Sequence, residues 1–459
     1  MSRVTVQFML PKFAIALMFA QVTVNFNRVA IVEYQLPALL IALMIGLYPF
    51  FGPFQPFFGK MTDRFPIFGY RRSPYLLIGL MTGSFSLLPL PFMLEFQKGG
   101  NLFAIPLMFL LFFIFGLSIA LMANTYLDLI AECTTAETRS KVFAAAWTGQ
   151  TLILVVWASL FGLWMPEFSE SRLQSLYLIS PLIVFILGFL GIFGLERRLT
   201  KDELRELTVG NQVSLPAGQL SREQNPFKDS LSMLLKNATA KRFFLFISLS
   251  FFGIFTQDLL QEVMGAEIFH LSVSDSSIFQ QLFNTGVTLG MGMTAALGAK
   301  LLGKKESVAL LEMRDKKSIA TFGGMLAALS FGLIAFSILY LNLTLAIISF
   351  GINGFCVGIF TMAAVTMMSD MTVKGQTGKY LGIWSMAQAF GLGGCFILCG
   401  LIYEVIIGSS IFSSAPIGYA AFFLAEGFFM ILCVISLRPA SIASLERDAI
   451  KNEVTLMVK

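Results

Sequence analysis

Ionisable and amide side chains recur at helical spacing inside stretches that are otherwise apolar, and they are the groups best able to do chemistry. Gln21, Asn25 and Arg28 stand at i, i+4 and i+7, and Asn124, Asp128 and Glu132 follow one another at strict i, i+4 steps. Gln257 with Gln261 and Asp258 with Glu262 form two such pairs side by side, and Ser349 with Asn353 a further one. An ionisable group at membrane depth costs at least ~2.5–3.5 kcal/mol, so it faces an interior and has a partner. Arg28 reads as the one basic residue inside a span, with Asp258 or Glu262 as its counter-charge. Such a pair can act as a gate or interhelix brace, or can line a substrate site. Asp128, Asp258 or Glu262 can equally carry a coupling proton.

Two residues stand apart from these faces. Glu426 lies in the middle of A-F-F-L-A-E-G-F-F-M-I-L, on a span expected to meet lipid. Either it hydrogen-bonds to a neighbouring helix or it marks a ligand or partner surface. His270, the single histidine, follows the seventh span and reads as a solvated loop residue or as a lone axial ligand. One histidine cannot build a multi-histidine metal site. Neither a Ser-His-Asp set nor a phosphate-binding loop can be assembled, so an enzyme is not expected. The five cysteines all lie in or at the ends of apolar runs, which implies no disulfide framework.

The elements that position these groups follow from composition. Of 459 residues, 56% are hydrophobic and 13% charged, with a mean hydropathy of +0.78. That is an all-α integral membrane protein, because backbone polar groups in lipid must be satisfied within each span. The net charge of +5 is therefore no nucleic-acid signal; lipid is the expected surrounding. Apolar runs place twelve spans near 12–33, 37–58, 74–95, 103–131, 142–165, 175–195, 242–264, 276–302, 319–340, 343–368, 380–405 and 417–437. All but three of the 32 Lys and Arg fall on segments that share one side, the exceptions being Arg28, Lys98 and Arg172. This bias puts both termini in the cytoplasm.

A polar segment, 196–241, divides two six-helix bundles, 1–195 and 242–437, and a charged tail, 438–459, closes the chain. At an offset of 238, Glu132 matches Asp370, Thr134 matches Thr372 and Gln150 matches Gln388, as paired halves would.

Between the second and third spans lies G-K-M-T-D-R-F-P-I-F-G-Y-R-R-S-P-Y, residues 59–75. Gly59, Asp63, Arg64, Gly69, Arg71 and Arg72 in this order resemble the loop between helices 2 and 3 of the major facilitator superfamily. N-R-V-A-I-V-E at 27–33, G-Y-R-R-S-P-Y at 69–75 and F-G-x-x-x-Q-D-x-L-x-E at 252–262 further resemble its bacteriochlorophyll-delivery (PucC/LhaA-like) branch. Members usually carry Pro-Tyr-Gly after the glutamate of helix 7, where this chain has Val263, Met264 and Gly265.

The resemblance implies a facilitator fold in which helices 1, 4, 7 and 10 line a central cavity and 3, 6, 9 and 12 face lipid. It implies an assembly factor for light-harvesting complexes in a photosynthetic membrane (thylakoid or intracytoplasmic) or an inner membrane. Chlorophyll or bacteriochlorophyll would be bound transiently, with antenna polypeptides or chlorophyll-synthesis enzymes as partners. Magnesium takes oxygen ligands readily. Glu262, Asp258, Gln257, Asn25 or Glu426 could then coordinate a pigment centre as well as His270 could. The 48 Phe and 23 Met would offer a tetrapyrrole soft walls. The rival expectation is a proton-coupled secondary transporter of a small polar solute.

Overall fold

The computed structural model describes residues 3–134, 136–200, 231–232, 234–235, 238–301, 313–370, 383–384, 386–407 and 414–437. Most of the polar segment 196–241 and all of the tail lie outside the described residues. The helices run as α1 (Arg3–Ala20), α2 (Ala38–Gly46), α3 (Gln55–Arg64), α4 (Ser73–Leu87), α5 (Leu90–Lys98), α6 (Ala104–Cys133), α7 (Ala136–Trp164) and α8 (Glu170–Ile192). They continue as α9 (Ala238–Phe255), α10 (Gln257–Phe269), α11 (Val273–Leu301), α12 (Met313–Leu339), α13 (Leu343–Asp370), α14 (Gly394–Ile402) and α15 (Ala415–Leu437).

Among the described residues ten helices are long and apolar enough to cross a membrane, or eleven if one bent pair counts as a span. Twelve were expected, and the differences have physical causes. The second span is bent by 58°. Pro49 and Pro53 sit in its tight 3-10 segment, Tyr48–Phe54, where missing amide donors interrupt the α-helical ladder. The helix α11 is 29 residues long but carries Ser276, Ser277, Gln280, Gln281 and Asn284, which lower its apolarity.

The chain divides into two units. The first comprises Met1–Leu36, Leu43–Asn225 and Ser272–Ser274; the second comprises Pro37–Ala42, Pro226–Leu271 and Asp275–Lys459. In the first unit α1 packs on α7 and α8, and α4 on α6. In the second, α12 packs on α13 and α15 over a core that includes Phe246, Phe360, Met430 and Cys433.

The second unit also contains a close crossing of α11 and α13. Gly286 and Gly290 on one helix meet Gly354 and Gly358 on the other. A Cβ at Gly354 would run into the carbonyl of Phe283, and one at Gly290 into that of Phe355. Small residues spaced four apart let membrane helices touch backbone to backbone.

Lipid-facing stripes are plain on α8, α12 and α15, where apolar residues are exposed at helical spacing. On α15 these are Leu424, Phe428, Ile431 and Ile435. Nothing but lipid would satisfy such surfaces in a monomer.

Candidate functional site

The densest polar cluster in the first unit is built around Arg72. Its buried guanidinium pairs with Asp63 at 2.5 Å, Glu132 at 2.9 Å and Asp128 at 3.1 Å, and donates to Thr62 as well. The rigid fork of an arginine suits this fan of acceptors. Burial works against the guanidinium charge, but Asp128, Glu132 and Asp63 outweigh it and raise its pKa.

Asn124 donates to Asp128 at 2.7 Å, and a Cβ at Gly59 would meet Asn124 Nδ2 at 2.8 Å. A side chain at Gly59 would have to displace the Asn124 amide. Asp128 and Asn124, read from sequence as cavity groups, are part of this cluster.

Glu196 completes it from beyond α8. One carboxylate oxygen accepts the backbone N–H groups of Arg71 at 2.6 Å and Arg72 at 2.9 Å, and the other accepts that of Ser73 at 2.6 Å. Ser73 opens α4 and Arg71 and Arg72 lead into it; these amides have no partner within the helix, and an anion there also suits the helix dipole. Gly69 holds a φ of +82°, and its carbonyl accepts from Leu199 at 2.8 Å. Arg64 and Arg71 flank the turn, and Arg64 lies over the Phe65 ring at 5.5 Å. Sequence reasoning found this loop but not Glu196, whose partners are backbone amides more than a hundred positions away.

Along the first span Gln21, Asn25 and Arg28 are all buried. They do not keep the simple α-helical register, because Gln21–Phe26 and Val29–Glu33 are π-helical. The wider i→i+5 turn brings residues five apart onto one face. Arg28 accordingly pairs with Glu33 at 2.9 Å, a partner not expected from sequence. Gln21 leaves both amide atoms, and Asn25 its carbonyl oxygen, without a hydrogen-bond partner. Buried atoms of this kind are uncommon and suit a polar ligand or water.

Arg28 is not the one basic residue inside this span. The helix begins at Arg3, so Lys12 lies within it, buried, with its ammonium over the rings of Trp147 at 3.7 Å and Tyr126 at 5.1 Å.

In the second unit Gln257, Gln261 and Glu262 are buried and Asp258 is half-buried, at the start of α10. The helix ladder breaks here, Thr256 separating α9 from α10. Glu426 is 1% exposed and points away from the lipid-facing stripe of α15, among buried Phe422, Phe423 and Met430. Its carboxylate lies beside the backbone at Gln257, with Asp258 near. Asn353, expected to line a cavity, bridges α13 to α12 by donating to Ser330 at 2.9 Å.

Near the far end of α10, Glu267 accepts from Tyr403 at 2.5 Å and Tyr419 at 2.7 Å, a cluster not legible from residue spacing. His270 ends α10 in the left-handed conformation, φ 53°, and is exposed. An open groove of about 450 Å³ lies between α4 and α6, walled by Ile78, Phe85 and Leu111 among others; none of the sequence-predicted residues line it.

Residues 25–445 match the family model described as PUCC protein. Among curated relatives, Protein PucC of Rhodovulum sulfidophilum is 23% identical over 407 residues, covering 86% of this chain and 84% of its own. The protein called bacteriochlorophyll synthase 44.5 kDa chain, of Rhodobacter capsulatus, is 24% identical over 378 residues, 81% of this chain and 80% of its own. Among solved structures, the nucleoside transporter NupG superposes with a TM-score of 0.64 at 14% identity, over 95% of this chain and 98% of its own. A bacterial homologue of the human lysosomal transporter Spinster, inward-facing and occupied, gives 0.65 at 11% identity, over 95% of each. At such identities the likeness is one of fold, that of the major facilitator transporters. With the family model matching over nearly its whole length, the chain belongs to the PucC family.

Proposed function

We propose that this chain is an assembly factor for light-harvesting complexes that handles chlorophyll or bacteriochlorophyll as cargo, not as a substrate for bond-making. The observation that carries the reading is the family match over residues 25–445, together with a relative of 24% identity named for bacteriochlorophyll synthesis. It works in a photosynthetic or inner membrane with both termini cytoplasmic. Its partners are antenna polypeptides or chlorophyll-synthesis enzymes.

The chemistry of the buried polar groups supports pigment handling. Gln257, Asp258, Gln261 and Glu262 bring carbonyl and carboxylate oxygens to the break between α9 and α10, and oxygen is the donor that magnesium prefers. Gln21 and Asn25 offer unsatisfied amide atoms in the first unit.

Deleting the gene in its native host tests this reading. The account expects antenna complexes to fall while the other membrane complexes keep their level, and wild-type protein supplied in trans to restore them. Unchanged antenna absorption in the deletion strain would overturn it. The alternative, a proton-coupled transporter of a small solute, draws support from the transporter fold alone. It expects pH-dependent uptake in vesicles that fails in Glu262→Gln.

A further inference from the structure

Lys12 is a basic side chain in the first span, and among the described residues no carboxylate pairs with it. The ion pairs among the described residues join Arg28 to Glu33, Arg72 to its three carboxylates, and Lys98 to Glu170; none involves Lys12. Lys12 is 9% exposed, so its amine has largely left solvent. An ammonium carries three N–H donors. The rings of Trp147 and Tyr126 offset its charge by cation–π attraction but accept none of these bonds conventionally.

The seat is built, not incidental. Tyr126 is held by its hydroxyl, which donates to the carbonyl of Phe8 at 2.6 Å, and its ring meets that of Phe8 edge-on at 6.3 Å. The approach of α7 to α1 is fixed at Gly149, where a Cβ would meet the Phe13 ring at 3.1 Å. Trp147 keeps 44% of its surface exposed.

We propose that Lys12, resting on Trp147 and Tyr126, binds the anionic head, carboxylate or phosphate, of an amphiphile. The ligand's head supplies the oxygen acceptors the ammonium lacks. A cation of this kind at membrane depth is stabilised by a paired anion, and an anion reaches that depth only on an apolar body. The exposed part of Trp147 receives that body. The proposal is independent of pigment handling and concerns the first unit alone.

Full-length protein in neutral maltoside micelles, without pigment, serves as the sample. Tryptophan fluorescence is followed while oleate, dioleoyl phosphatidate or methyl oleate is added. Saturable binding of oleate or phosphatidate is expected, with methyl oleate at least about tenfold weaker, the worth of one charge-assisted hydrogen bond. Lys12→Met should weaken binding by a similar factor, and Lys12→Arg should retain most of it. Tighter phosphatidate binding would assign the site to a lipid headgroup, tighter oleate binding to a carboxylate ligand, and either supports the proposal. If Lys12→Met does not yield monodisperse protein, Lys12→Gln replaces it. Methyl oleate binding as tightly as oleate, or undiminished oleate and phosphatidate binding in a folded neutral variant of Lys12, overturns it.

Discussion

Glu196 accepts the backbone N–H of Ser73 at 2.6 Å, so a carboxylate beyond α8 closes the first turn of α4. The contact joins elements separated by more than a hundred residues and fixes the charged turn at 65–72 between them. Replacing Glu196 by Ala should cost about 1 kcal/mol, the usual worth of a helix N-cap. Hydrogen exchange gives a sharper reading: the amides of Arg71, Arg72 and Ser73 should exchange faster while those in the middle of α4 keep their protection. Equal protection in the variant would remove Glu196 from this role.

Arg72 is buried, but the carboxylates around it keep 34–56% of their side-chain surface exposed. Solvent therefore screens part of each attraction. Arg72→Ala should destabilise the protein in detergent by about 2–3 kcal/mol, below the cost of breaking a fully buried pair. Arg72→Lys should recover only part of that, since a point charge cannot reach three acceptors at once. A Tm equal to wild type in Arg72→Ala would contradict the account.

The crossing of α11 and α13 leaves no space for a side chain at Gly354, whose added Cβ would run into the Phe283 carbonyl. Gly354→Ala should cost about 3 kcal/mol, at the upper end of overpacking penalties, and lower the yield of monodisperse protein. Gly292 has open space around it, so Gly292→Ala serves as the control and should behave as wild type.

Glu267 accepts from both Tyr403 and Tyr419, and removing one hydroxyl leaves it the other. Each Tyr→Phe change should cost about 1 kcal/mol. The pair should cost more than the sum of the single changes by about 0.5 kcal/mol or more, as expected within one network. Thermal unfolding of the two single variants and the double variant measures this, and strict additivity would mean that the two bonds are independent.

Legibility from sequence followed the range over which a signal acts. The loop at 59–75 could be read because its residue types stand at fixed spacing between apolar runs, and the burial of Gln257, Gln261 and Glu262 followed from polarity inside such a run. Glu196 could not be read, because its partners are backbone amides with no residue-type signature. Glu33 was missed because the pairing with Arg28 depends on a π-helical turn that the α-helical period does not anticipate. Lys12 could not be placed within its helix, because a run of apolar residues says little about where that helix begins. Glu426 lies on a helix that faces lipid, but a helix has more than one face, and the stripe at Leu424, Phe428 and Ile431 leaves Glu426 on the inner one.

Pigment handling is the central claim, and the absorption spectrum of the protein purified in mild detergent from a pigmented host tests it most directly. The account predicts chlorophyll or bacteriochlorophyll at a fixed ratio to protein, lost in Glu262→Ala while the variant still elutes as a monodisperse peak. A colourless wild-type protein, purified intact and without antenna polypeptides, would contradict it.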